Sequence, residues 1–278
     1  MLGIMSNPSA SMARLAYGRA THDINQSFER LATGKKINRA GDDLSGLQAA
    51  ENFNAREKQL STRIESIDRE GAYFGARDGA VSVLQDYVVE LNGLVVAAAN
   101  GAGNSPAEKQ AMQLQADSIL QTIDFLSQTT TFNGQQILTG YSAKDLGATN
   151  SDGSENQHTL ADLARGGELN LSGANLEDAQ KIVEASVNQL SANRAAIGNM
   201  MTDLDSERRI SLTELENVSS ARSAITDTDY AEETSKLVRA QVMQAAAYTR
   251  QISQQQQAGS ILSLLSSAVK SRGSIAGV

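Results

Sequence analysis

The sequence predicts a mainly α-helical protein: a long antiparallel coiled coil or helical bundle, with one small β-hairpin and a short strand-containing loop. Three observations predict it. Apolar residues recur every seven positions over 53–95 and again over 183–225, the period of helices that pack along a seam. The two prolines, Pro8 and Pro106, lie outside those stretches and leave the helices uninterrupted. Aromatic residues make up 4% of the chain, with no tryptophan, which suits thin helix–helix cores better than one thick globular core.

The first long helix carries Phe53, Leu60, Ile67, Phe74, Val81, Val88 and Val95, with Ile64, Leu84 and Leu91 at companion positions. A strict seven-residue repeat implies left-handed supercoiling, and a helix over 44–100 would run roughly 85 Å at 1.5 Å per residue. It stops at AANGAGNSP, where Ser105 can cap the next helix with Pro106 at its first position. Met112, Ala116, Ile119, Ile123 and Leu126 form that second amphipathic helix, 106–128, expected to fold back on the first. TTTFNGQQIL then places Asn133–Gly134 between short β-prone runs, a hairpin signal within 130–142. Residues 140–175, rich in Gly, Ser, Asn and Asp, read as an exposed loop with strand pieces such as ELNLS. From Leu176 the seven-residue step returns with Val183, Leu190, Ile197, Leu204, Ser211, Val218 and Ile225. This helix is expected beside the 44–100 helix.

The two ends repeat the pattern weakly. Tyr17, Ile24 and Leu31 are seven apart, with Phe28 beside them; Val238, Ala245 and Ile252 follow the same step, with Val242, Leu262 and Leu265 on the face. Alone such helices are marginal, because helix stability comes mainly from packing a face. They are expected to order against each other or against neighbouring subunits. The division is therefore 1–43 plus 226–278 as terminal helices, and 44–225 as the bundle with hairpin and loop.

Charge follows the same division. The net charge is −8, which argues against nucleic acid as the main partner. Residues 1–44 carry six Lys/Arg against four Asp/Glu, and 236–278 carry five Lys/Arg and no acid, so the acidity lies in the middle. The absence of cysteine excludes disulfides and thiolate metal sites. No N-terminal stretch reads as a cleaved secretory leader. No uninterrupted apolar run reaches membrane-spanning length, so no membrane span is expected.

LATGKKINRAGDDLSGL, residues 31–47, has the composition of a ligand site. A phosphate loop needs Lys followed by Ser or Thr between a strand and a helix; here Lys35 and Lys36 precede Ile37, and a helix comes before them. A calcium loop needs alternating oxygen ligands and a closing Glu, whereas Asp42 and Asp43 are adjacent. The reading that remains is a joint: Thr33–Gly34 ends one helix, and Asp42 or Asp43 caps the next. His22 and His158 are the only histidines, on a polar helix face and in the loop. No nucleophile–base constellation is present, so no enzyme activity and no cofactor are expected.

LATGKKINRAGDDLSGLQAAENF resembles the N-terminal signature of bacterial flagellins, with Thr33, Gly34, Ile37, Asn38, Asp42, Asp43, Gly46 and Leu47 in matching places. SQTTTFNGQQIL is similar to that family's hairpin. SSARSAITDTDYAEETSKLVRAQVMQAA resembles its C-terminal signature, through Ala221, Arg222, Ile225, Asp227, Asp229, Tyr230, Ala231 and Glu233, and SILSLL resembles its terminal leucine cluster. Hook–filament junction proteins share parts of both ends and are the nearest alternative.

The resemblance implies a structural subunit of an extracellular helical filament for motility. The terminal helices would pair as a coiled coil in the inner core, through Tyr17, Ile24, Phe28, Leu31, Val238, Val242, Ala245, Ile252, Leu262 and Leu265, and 44–225 would form the outer tube. Partners implied are other copies of the chain, an export chaperone, the flagellar type III export apparatus, and junction and cap proteins. The large variable outer domain of many members is replaced here by residues 134–175 alone, so a short form is expected. The Phe132–Asn133–Gly134 hairpin would be a switch between protofilament states. The position where the family carries an arginine for a vertebrate immune receptor aligns with Glu90, with Leu94 retained, so weak recognition is expected.

Overall fold

The computed structural model describes residues 8–100, 103–149, 153–173 and 175–275. In chain order they form α1 (Pro8–Thr33), α2 (Leu44–Ala99), α3 (Pro106–Thr129), β1 (Thr131–Phe132), β2 (Gln135–Gln136), a short 3-10 helix (Leu160–Leu163), α4 (Leu176–Thr226) and α5 (Tyr230–Ile275). The chain divides into two compact units, 60–214 and the combined ends 1–59 with 215–278. The division expected at 43/44 and 225/226 falls at helix ends; the compact division cuts α2 and α4 instead. The reason is local. Leu47 and Ala50 at the start of α2, and Arg222 and Thr226 at the end of α4, share one crevice with Lys35 and Ile37.

In the 60–214 unit the seven-residue seams are buried as expected. Val81, Leu84, Val88, Leu91 and Val95 of α2 share one core with Val183, Leu190 and Ile197 of α4 and Ala116, Ile119 and Ile123 of α3; Leu60 and Ile67 are buried further toward the start of α2. The α2 and α4 segments run antiparallel, as three ion pairs read from opposite directions: Arg63–Glu207 at 2.6 Å, Asp68–Arg208 at 2.8 Å and Asp78–Arg194 at 3.0 Å. These pairs are half exposed, so each adds at most about 1 kcal/mol, and apolar burial carries the stability. One 18-residue window of α2 is long and apolar enough to cross a membrane by composition. Of that window 28% is buried, and Val83, Val89 and Val96 of the same helix are exposed.

Local chemistry sets the ends of α3. Glu108 N–H donates to Ser105 Oγ at 3.3 Å, and Ser105 N–H donates to Glu108 Oε2 at 2.6 Å, a reciprocal cap with Pro106 at the first position. After α3, Thr131–Gln136 and Phe132–Gln135 pair antiparallel. The turn residues Asn133 (φ 51°) and Gly134 (φ 79°) are both left-handed, the two-residue turn whose twist matches a hairpin. Phe132 packs edge-on against Tyr73, ring centroids 5.9 Å apart.

The segment 140–175 departs from expectation. ELNLS forms turns rather than a strand, and extended pairing there is limited among the described residues to a single bridge, Thr149–Glu155. Nor is the segment simply exposed. Leu146, Leu160, Leu163 and Leu171 are fully buried and Leu169 nearly so. Polar side chains of α3 hold its backbone in place. Gln113 is itself buried; it donates to Leu163 O at 2.8 Å and accepts from Leu171 N–H at 2.7 Å. Asp117 accepts from Arg165 N–H and Asp124 from Ala143 N–H, each at 2.8 Å. Five leucines among small polar residues have no helical or strand period, so the sequence pattern did not announce their burial. His158 is likewise half-buried rather than solvent-facing, with Nδ1 3.7 Å from Asp162 and 3.8 Å from Glu168.

Candidate assembly interface: the joint and the terminal helix pair

The stretch 31–47 is a joint. Helix α1 ends where Gly34 takes φ +70° and its N–H donates to Arg30 O at 2.8 Å, a left-handed cap that glycine adopts without strain. The choice between the two aspartates is resolved. Asp43 Oδ1 accepts from Gly46 N–H at 2.9 Å and from Ser45 Oγ at 2.8 Å, so Asp43 caps α2. Asp42 Oδ2 accepts from the N–H groups of Asn38 and Arg39, both at 3.0 Å, and ties the turn instead. These hydrogen bonds hold both carboxyls below the ordinary carboxylate range: Asn38 N–H is the leading cause for Asp42 and Gly46 N–H for Asp43. Gly46 is needed because a β-carbon there would stand 2.5 Å from Asp43 Oδ2 and 2.7 Å from Ile37 Cδ1.

A second joint, between α4 and α5, lies directly against the first. Lys36 N–H donates to Thr226 O at 2.7 Å and Thr228 N–H to Gly34 O at 2.9 Å, closing an antiparallel bridge between Lys35 and Asp227. Asp227 accepts from the hydroxyls of Ser223 and Thr226, and the Ser223 bond is the main cause of its lowered pKa. Asp229 Oδ1 caps α5, accepting from Ala231 N–H at 2.8 Å and Glu232 N–H at 3.1 Å. Arg222 reaches Glu57 on α2 at 2.6 Å. The signature residues Gly34, Asn38, Asp42, Asp43, Arg222, Asp227, Asp229 and Tyr230 thus belong to one double joint. Within the joint Asn38 Nδ2 donates to Lys35 O at 2.9 Å.

From this joint α1 and α5 run together as an antiparallel pair. The seam differs from the expected one. Its buried residues are Ala13, Ala20 and Ser27 on α1 and Glu233, Ala240 and Ala247 on α5, each set stepping by seven. Small residues let the two backbones come within 8 Å along their length, an approach that, among the described residues, no other pair of long helices sustains. The large residues expected in the seam are displaced from it. Ile24 and Leu31 are half-buried on its flank and Ala245 is exposed; Tyr17 and Phe28 are 38% and 53% exposed. Val238, Val242, Ile252 and Leu262 are 58%, 62%, 38% and 70% exposed. The side chain of Leu265 lies outside the described residues. On the flank Tyr17 meets Tyr248, centroids 6.4 Å apart, and Gln244 donates to Thr21 Oγ1 at 2.9 Å.

One polar cluster interrupts the alanine seam. Glu233, 4% exposed, accepts from Ser27 Oγ at 2.7 Å, with Arg30 Nη1 at 3.7 Å and Lys236 Nζ at 3.5 Å. Sequence reasoning named Glu233 only as a signature residue; an acid seven residues before Ala240, in line with Ala247, was the available signal. In the other unit, Glu90 is exposed on α2 and accepts from Gln115 at 3.0 Å, and Leu94 packs against the core.

The chain is similar to several flagellins. Polar flagellin C of Vibrio parahaemolyticus is 30% identical over 137 residues, covering 49% of this chain and 35% of that protein. Flagellin A of Vibrio anguillarum is 29% identical over 137 residues, 49% of this chain and 36% of its own. Flagellin A of Vibrio cholerae is 28% identical over 139 residues, 50% and 36%. The matched stretches span half of this chain and little more than a third of each relative. Residues 4–143 match the bacterial flagellin N-terminal helical region, and residues 180–265 match the bacterial flagellin C-terminal helical region. With half of its length inside the first of these regions and its C-terminal helices inside the second, the chain belongs to the bacterial flagellin family.

Proposed function

We propose that this protein is a structural subunit that polymerises with copies of itself into the flagellar filament, outside the cell, in the service of motility. The observation that carries this reading is the terminal pair. Its internal seam uses alanine, and it leaves Tyr17, Phe28, Val238, Val242, Ile252 and Leu262 uncovered. Burying a large apolar side chain is worth about 1.5–3 kcal/mol, so such stripes give a second copy strong reason to dock. Contacts between different faces of successive copies generate an open helix when the rotation between copies does not close.

Export through the flagellar type III apparatus with a chaperone, and junction and cap proteins at the filament ends, complete the reading by family membership. Hairpin 131–136, set on Tyr73 by Phe132, is the candidate two-state element for protofilament switching. The test is seeded growth of the full-length chain followed by electron microscopy. Long tubes are expected, and Val242→Asp should abolish them while leaving helix content unchanged. A chain that stays monomeric, or stops at short stacks, overturns the proposal; short stacks are the behaviour of a junction adaptor.

A further inference from the structure

We propose that Glu233 is the residue that sets the register of the α1–α5 pair. The alanine seam cannot do so. Starting from the Ser27–Glu233 contact, each step of seven along both antiparallel helices brings Ala20 beside Ala240 and Ala13 beside Ala247. Sliding α5 by seven residues puts Ala20 beside Ala247, alanine on alanine again, and Ser27 beside Ala240, both small, with Gln254 opposite Ala13 at the far end. Methyl groups of equal size carry no information about position.

Glu233 breaks the degeneracy. In the observed register its carboxylate is buried and served by Ser27, Arg30 and Lys236. Lys236 is on its own helix and would travel with it. Ser27 and Arg30 are on α1 and would not. Slid by seven in one direction, the carboxylate faces Ala20, which offers no donor; in the other it leaves the seam at Gly34. Facing Ala20 it is a buried charge stripped of its partners, which is strongly destabilising; at Gly34 it returns to water and forfeits the Ser27 and Arg30 contacts. Single buried polar groups fix register in coiled coils in the same way. The Lys35–Asp227 bridge, two backbone hydrogen bonds, also favours the observed register and is the rival that variants at Glu233 separate.

The chain has no cysteine, so an introduced pair reports register without interference. Ala13→Cys with Ala247→Cys marks the observed register; Ala20→Cys with Ala247→Cys marks the slipped one. In the full-length chain, air oxidation should favour the first pair over the second by about tenfold or more, the preference that lost hydrogen bonds to a charged group support. Glu233→Ala should bring the two yields close to equal. Moving the acid one step, Glu233→Ala with Ala240→Glu, should reverse the preference, because Ser27 and Arg30 then face residue 240 only after the slide. This second variant keeps a buried acid on the seam, so it tests position apart from loss of the fold. Retention of the Ala13–Ala247 preference in both variants would assign register to the joint bridge or to the Tyr17–Tyr248 and Gln244–Thr21 contacts and overturn the proposal. Indiscriminate cross-linking in the unsubstituted background, or in the moved-acid variant, would overturn it as well.

Discussion

The hydroxyl of Tyr230 stands 3.1 Å from the point where a β-carbon would project from Gly34. One residue ends α1 and the other begins α5, so the contact ties the two joints through the smallest possible side chain. Gly34→Ala meets two penalties. A non-glycine residue at φ +70° is disfavoured by roughly 1–2 kcal/mol, and the methyl presses on the phenol. We expect the terminal helices to lose protection in hydrogen exchange while 60–214 keeps it. Adding Tyr230→Phe should recover only part of the loss, because the backbone strain remains.

Asp43 is the N-cap of α2 through Gly46 N–H. Replacing it with Ala leaves the first-turn N–H groups without their acceptor, and the helix should fray from Leu44 toward Ala50. Asp43→Asn keeps an acceptor and should behave nearly as the unsubstituted chain. Amide exchange at Ser45 and Gly46 distinguishes the two. An Asp42→Ala variant should instead loosen residues 38–39, where its hydrogen bonds lie.

The joints should open in acid. Asp42, Asp43 and Asp227 have carboxyls held below their ordinary value by hydrogen bonds made in the folded state. A depressed folded pKa means the unfolded chain takes up protons first as pH falls. Their contribution is therefore complete above about pH 4, the ordinary Asp range, and fades as pH drops below it through the depressed values. Limited proteolysis across a descending pH series should cut near 34–43 and 226–230 before it cuts the 60–214 unit. Equal cleavage of both regions at every pH would contradict this.

The segment 140–175 should behave as core. Leu163→Ala removes a fully buried side chain and should cost about 2–5 kcal/mol in chemical unfolding. Gln113→Ala strands Leu163 O and Leu171 N–H, at about 1–3 kcal/mol. An exposed loop would tolerate both changes with no shift of the unfolding midpoint.

Glu90 is exposed on α2, and we propose that it stands at the position which the family resemblance aligns with a receptor-contacting arginine. Opposite charge at a docking surface disfavours the partner selected for the other sign. Glu90→Arg should raise activation of the vertebrate immune receptor in a cell-based reporter assay, and the unsubstituted monomer should be weak. Equal activation by the two would remove charge as the discriminating feature.

Much of this architecture is legible in the sequence because it rests on periods and caps. Val81, Val88 and Val95 announce the α2 seam; Ser105–Pro106 and Glu108 announce the start of α3; Asn133–Gly134 announces the hairpin turn. What escapes is burial without period and packing without size. The leucines at 146, 160, 163, 169 and 171 are spaced irregularly among turn residues. The terminal seam runs through Ala13, Ala20, Ala240 and Ala247, which a search for large apolar residues passes over in favour of Tyr17 and Val238. The candidate site was found in part for the same reason. Gly34 and Asp43 follow from helix-end chemistry and Asp229 from the family resemblance, whereas the Ser27–Glu233 contact joins positions 206 residues apart, a distance no local pattern crosses.

That separation has a kinetic meaning. Helix hairpins within 60–214 and the β-turn at Asn133–Gly134 close short loops and form early, while contacts between the two ends of the chain must wait for a far longer search. The alanine seam is thus among the last surfaces to close when the molecule folds. During that interval α1 and α5 are open to capture by the corresponding helix of another molecule, so the concentration of chains at the moment of folding should influence whether the ends pair at home or abroad.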